Sequence, residues 1–190
     1  MNYQSYMLHN FKSIPQVQNL PTDLIEAIEI VGSVLPFKTN NYVVENLINW
    51  ERVPNDPIFK LTFPQREMLL PHHYEQMKKV IKNGASKSEI KTAANEVRLE
   101  LNPHPAGQLE YNVPMIEGEK LFGMQHKYRE TVLFFPPAGQ TCHAYCTYCF
   151  RWPQFADIQR LKLALHDVGR LVRYLRIHTE VIDVLMTGGD

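Results

Sequence analysis

Thr131-Val132-Leu133-Phe134-Phe135 is a β-branched and aromatic run that halts at Pro136-Pro137. It reads as a short buried strand, ended by residues that cannot donate to a ladder. A loop carrying all three cysteines follows, Cys142, Cys146 and Cys149. Leu161, Ala164, Leu165, Val168, Leu171, Val172 and Leu175 then recur every three or four residues, the apolar stripe of a helix that tolerates Gly169. Val181, Ile182, Val184 and Leu185 supply a second strand, which runs into Thr187-Gly188-Gly189-Asp190. Strand, loop, helix and strand form one β-loop-α-β unit, expected to be parallel with a right-handed crossover. The fold class is α/β.

Upstream the pattern is helical. Thr22 or Asp23 is placed to cap a helix carrying Leu24, Ile25, Ala27, Ile28 and Val31, which Pro36 should end. Tyr42, Val43, Val44, Leu47 and Ile48 suggest a second short helix, and Pro54-Asn55-Asp56-Pro57 is turn chemistry. Tyr74, Met77, Val80 and Ile81 make another amphipathic stripe, closed by Asn83-Gly84. Ser86 and Glu89 have capping-box spacing before Ile90, Ala93, Ala94, Val97 and Leu101. These stripes are core-packing faces rather than ligand contacts. From Asn102 to Gln125 the periodicity fades amid prolines and glycines, as in a loop-rich connector. The expected organisation is a helical region with its connector over residues 1–125, then the β-loop-α-β unit over 126–190.

Composition narrows the function classes. An apolar fraction of 44% with 21% charged residues is that of an ordinary globular chain. Twenty basic side chains balance twenty acidic ones, so there is no electrostatic footprint for nucleic acid or an anionic membrane. No apolar run approaches the ~20 residues that span a bilayer, and the N-terminus has no signal-peptide pattern. Cysteines confined to eight consecutive positions suit a metal centre better than a disulfide framework, and a reducing cytoplasm is the natural compartment.

Cys142-x3-Cys146-x2-Cys149 puts three soft thiolates on one loop. On a four-iron cluster three ligands leave one iron open to a further ligand. Structural zinc normally takes four protein ligands, so a zinc reading must recruit His143, or a distant histidine such as His126 or His166. Ligand softness and count favour the cluster, with zinc as the alternative.

Cys142-His143-Ala144-Tyr145-Cys146-Thr147-Tyr148-Cys149-Phe150-Arg151 resembles the signature of radical S-adenosylmethionine (SAM) enzymes, with Tyr148 in the aromatic place before the last cysteine. Its flavour is similar to the lysine 2,3-aminomutase family in particular, and Thr187-Gly188-Gly189-Asp190 resembles that family's Thr-Gly-Gly-Asp. Asp56-Pro57-Ile58 and the segment around Tyr128 are also similar to it. The resemblance covers about the last two thirds of the chain.

The resemblance implies a partial (β/α) radical SAM barrel with its site at the C-terminal ends of the strands, where the sequence puts both the cysteines and Gly188-Gly189-Asp190. It implies a [4Fe–4S] cluster on Cys142, Cys146 and Cys149, and SAM held at the open iron beside Tyr148, Gly188, Gly189 and Asp190. Successive glycines at a strand end allow such close backbone approach, although an isolated pair also suits a plain turn. Arg151 matches the arginine that holds the substrate carboxylate, a bidentate role suited to a guanidinium. Pyridoxal 5′-phosphate (PLP) is implied as well, with Lys127, Tyr128 and Arg129 at its phosphate. Here the chain departs from the family, because Thr131 stands where a further arginine is usual and about two extra residues precede the cysteines.

The implied activity is reductive cleavage of SAM to start a 2,3-amino shift on an amino acid, by analogy lysine, fed by an electron donor such as flavodoxin or ferredoxin. A homo-oligomer is compatible with this. Two strands and one helix do not close a barrel, so the expectation is a truncated chain, inactive alone. The alternatives are a family member acting on another amino acid or a protein-bound lysine, and a zinc-stabilised, non-catalytic binding module.

Overall fold

The computed structural model describes residues 3–101, 110–137 and 164–187. They form two compact units, the first within residues 3–101 and the second made of 110–137 and 164–187. The architecture is mixed helix and small sheets.

In the first unit, strands β1 (Ser5–Met7) and β2 (Lys38–Asn40) pair antiparallel, a ribbon the sequence pattern did not announce. Each is only three residues long, and Asn41 closes the pair by exchanging hydrogen bonds with Gln4 at 3.0 Å through both its N–H and its Oδ1. After the single turn α1 (Pro15–Gln18) comes α2 (Thr22–Val34). The cap position of α2 belongs to Pro21, whose carbonyl accepts from Leu24 and Ile25, so Thr22 and Asp23 lie in the first turn instead. The expected helix over 42–48 is a π-helical turn, Val43–Leu47, with Ile48 N–H donating to the Val43 carbonyl at 3.1 Å.

Asp56 is buried and caps α3 (Pro57–Thr62), accepting from Phe59 N–H at 2.8 Å and from Asn49 N–H at 3.3 Å. Pro57 at the first helical position has no N–H to leave unpaired. The turn chemistry of 54–57 is therefore a helix start. α3 carries Phe59 into an aromatic core, stacked on Phe63 at 4.7 Å with the Trp50 ring edge-on to both.

α4 (Pro71–Lys82) and α5 (Lys87–Leu101) form a helix pair packed on α2 through Ile30, Val31, Tyr74, Met77, Ala94 and Val97. The capping box is present: Ser86 N–H donates to Glu89 Oε2 at 2.7 Å and Glu89 N–H to Ser86 Oγ at 3.3 Å. Buried Arg98 donates from Nε to the Val34 carbonyl and from a terminal nitrogen to that of Ser33, so a cation closes the C-terminus of α2.

In the second unit, the stretch expected to be loop holds the hairpin β3 (Met115–Ile116) and β4 (Glu119–Lys120), whose turn puts Glu117 and Gly118 at positive φ. β5 (Met124–Tyr128) and β6 (Thr131–Phe134) form an antiparallel pair, and β6 runs parallel to β7 (Asp183–Met186). The order β5-β6-β7 adds to the expected parallel pair a strand that the sequence hid. Gln125, His126 and Lys127 make it polar, and it has no β-branched residue.

Among the described residues, the helix between β6 and β7 is α6 (Val168–Ile177). Its stripe was expected to run from Leu161, but residues 164–167 are not helical. Asp167 fixes the start, its Oδ1 accepting from Arg170 N–H at 3.2 Å. Leu161 lies outside the described residues. Leu165 still enters the core, with Met124, Val132, Phe134, Leu171 and Tyr174.

Candidate functional site

Cys142, Cys146, Tyr148, Cys149, Arg151, Gly188, Gly189 and Asp190, with His143, lie outside the described residues. What the structure describes is the frame from which the cysteine segment departs and to which the chain returns.

That frame is backbone-built at the C-terminal end of β6. Phe135 N–H donates to the Gly123 carbonyl at 2.9 Å, and Leu165 N–H donates to the Phe135 carbonyl at 3.1 Å. Residues three before and two after the undescribed stretch are thus bonded to each other, so the chain on its two sides is joined. One strand over, Thr187 N–H donates to the Phe134 carbonyl at 2.8 Å, continuing the register in which Phe134 faces Met186. Gly123 is required here. Its φ is +92°, and a Cβ would lie 2.3 Å from both the Ala164 carbonyl carbon and the Leu165 nitrogen. The sequence showed Gly123 only as one of several loop glycines, and its role appears once Ala164 is seen against it.

Lys127, Tyr128 and Arg129 stand elsewhere. They are exposed at the β5–β6 turn, with Lys127 Nζ 5.6 Å from the centre of the Tyr128 ring. This is the entry to β6, whereas the cysteine segment follows its exit. The four-residue strand between them spans about 13 Å at ~3.3 Å per residue.

His126, a candidate zinc ligand, is engaged at both nitrogens. Its Nε2 lies 3.2 Å from the Arg129 carbonyl oxygen and its Nδ1 2.5 Å from the Tyr174 hydroxyl. A carbonyl accepts, so Nε2 carries the hydrogen and Nδ1 takes the hydrogen of Tyr174. Tyr174 stacks on His178 at 4.1 Å, and His178 Nδ1 is 2.9 Å from Glu180 Oε1. The His178 hydrogen bond, then a backbone hydrogen bond, hold the Glu180 carboxyl below its ordinary range. Burial, with the Glu180 charge adding to it, pushes the Tyr174 phenol up. His126, one of the candidate fourth ligands of the zinc reading, thus has both ring nitrogens engaged, while His166 is exposed next to Leu165.

Sequence reading missed this His126–Tyr174–His178–Glu180 group, and it missed a second cluster, His72, His73 and Glu100. The adjacent histidines were visible, but their partner is 27 positions away and needed the helix pair to be seen. Among the described residues no helix is long and apolar enough to cross a membrane.

Comparison with known proteins finds one informative similarity. The chain is 29% identical over 174 residues to a protein of Aquifex aeolicus (strain VF5) named "Putative L-lysine 2,3-aminomutase". The alignment takes in 92% of this chain and 36% of that protein, so the chain spans about a third of its relative's length. No family profile matches the chain, and no solved structure matches it. The similarity supports an aminomutase-like chain.

Proposed function

We propose that this chain carries the cluster-binding part of a radical SAM enzyme of the lysine 2,3-aminomutase type. The observation that carries the reading is the Cys142-x3-Cys146-x2-Cys149 spacing on a segment that follows β6, next to a parallel strand that leads into Gly188-Gly189-Asp190. The 29% identity to an aminomutase-named protein supports the aminomutase-like part of the reading.

Three thiolates fit a four-iron cluster with one iron left open. Cys142, Cys146 and Cys149 are its ligands, and Tyr148, Gly188, Gly189 and Asp190 hold SAM. Held by these residues, a cluster with SAM would supply one-electron radical chemistry able to act at an unreactive carbon. Arg151 binds and orients the substrate by its carboxylate. The family resemblance assigns the phosphate of PLP to Lys127, Tyr128 and Arg129, two cations and a phenol that would suit a phosphate but stand at the entry of β6, the other end of the strand from the cysteine segment. The substrate is a free amino acid, lysine by analogy; another amino acid or a protein-bound lysine uses the same machinery. A small electron-transfer protein is the expected partner.

The test is metal analysis of protein purified and reconstituted without oxygen. About four iron and four sulfide per chain are expected, and Cys146→Ala should abolish them. One zinc per chain with no sulfide would sink the proposal in favour of a zinc-stabilised module.

A further inference from the structure

We propose that His72, His73 and Glu100 form a binding site for a first-row divalent cation such as Zn²⁺, at the open end of the α4–α5 helix pair. Only four residues separate the two helices, so the start of α4 lies beside the end of α5. His73 Nε2 is 2.8 Å from Glu100 Oε2, His72 Nε2 is 3.9 Å from the same oxygen, and the three donor atoms lie within 4.8 Å of one another. The histidine rings are 4.0 Å apart, centre to centre.

Around a tetrahedral zinc with bonds of about 2.0–2.1 Å, donor atoms stand roughly 3.3 Å apart. The shorter of the two distances must therefore open, and the longer close, by about half an ångström. The members that move are free to do so, since His72 and Glu100 are well exposed. His73 is the fixed point, with 1% of its side chain accessible. Two imidazoles and a carboxylate are the donor set of an open zinc site, with the fourth position left to water. Nitrogen donors select zinc, cobalt or nickel over magnesium and calcium.

One feature of the pocket sets the strength of binding. Nδ1 of His73 is buried without a hydrogen-bond partner among the described residues. Metal on Nε2 moves the ring proton to that atom, where zinc-bound histidines ordinarily find an acceptor. Binding should therefore be weak enough for a chelator to reverse. The bound ion would tie the two helix ends together and raise the unfolding temperature with its concentration. None of this involves the cysteines.

The test is Co²⁺ titration of the wild-type chain and of His72→Ala and Glu100→Gln, both at exposed positions that leave the core intact. Wild type should take one equivalent that lacks the near-ultraviolet thiolate charge-transfer band. Each variant should lose that equivalent or bind it at least about tenfold more weakly, and Cys146→Ala should retain it. An unchanged isotherm in either variant, or a charge-transfer band on every equivalent bound, overturns the proposal.

Discussion

The backbone N–H of Thr187 donates to the carbonyl oxygen of Phe134 at 2.8 Å, so the chain leaves β7 beside the point where it leaves β6. In the proposed enzyme this gives the cysteine segment and Gly188-Gly189-Asp190 a common end of the sheet. Replacing Gly189 with Val puts a branched side chain where backbone is to approach SAM. SAM affinity of the reconstituted protein should fall by at least about tenfold, with iron content unchanged. Unchanged affinity would mean that SAM is held elsewhere, and lost iron would mean that Gly189 serves the fold.

Tyr174 links pH to the stability of the second unit. Burial, then the charge of Glu180, raise its phenol above the usual tyrosine range. A group raised on folding contributes stability that is complete below its unfolded value, about pH 10, and is lost as pH climbs through the folded one. Tyr174→Phe should cost about 1 kcal/mol at neutral pH, for the hydrogen bond to His126. It should also flatten the decline of stability above pH 10. Thermal unfolding from pH 8 to 11 checks both, and parallel curves for the two proteins would remove Tyr174 from the account.

Glu26 behaves in the opposite sense in the first unit. Hydrogen bonds from Lys78 at 2.7 Å and Lys82 at 2.8 Å lower its carboxyl below the ordinary range. Its contribution is present above the unfolded value, roughly pH 4.3, and disappears as pH falls through the folded one. Glu26→Gln should lower the unfolding midpoint by about 1–3 °C at pH 7, the small effect of a solvent-facing pair. The difference should shrink in high salt and vanish near pH 2. A difference that persists at pH 2 would assign it to packing.

What the sequence made legible was whatever declares itself locally. Ser86 and Glu89 are three residues apart and bond as their spacing predicts, and Thr131–Phe134 is β-branched and aromatic as a buried strand should be. β5 stayed hidden because its pairing with β6 is written in backbone bonds around polar side chains. The start of α6 was misread because Leu165 continues the apolar period without being helical. The period reports burial, and Asp167 decides where the helix begins. Of the candidate site, the cysteine spacing was visible at once. Its frame was not, because a contact between Gly123 and Ala164 spans 41 positions and leaves no periodic trace.

That frame supplies the last prediction. Gly123 has φ +92°, which an alanine adopts only under strain, and the alanine Cβ would lie 2.3 Å from the backbone of Ala164 and Leu165. Backbone atoms there do not swing aside as a flexible side chain does, because Leu165 is bonded to Phe135 and Phe135 to Gly123. Gly123→Ala should therefore cost about 3 kcal/mol in the second unit, well above an ordinary surface change. The first unit has its own cores and should keep its helical signal. If the frame also fixes the cysteine segment, iron retained after anaerobic reconstitution should drop together with stability. A Gly118→Ala control meets nothing within 4 Å, although its φ is also positive, so it carries the strain without the collision. Equal losses of iron in the two variants would trace the effect to glycine conformation alone. A loss confined to Gly123→Ala would trace it to the approach of Ala164 and Leu165.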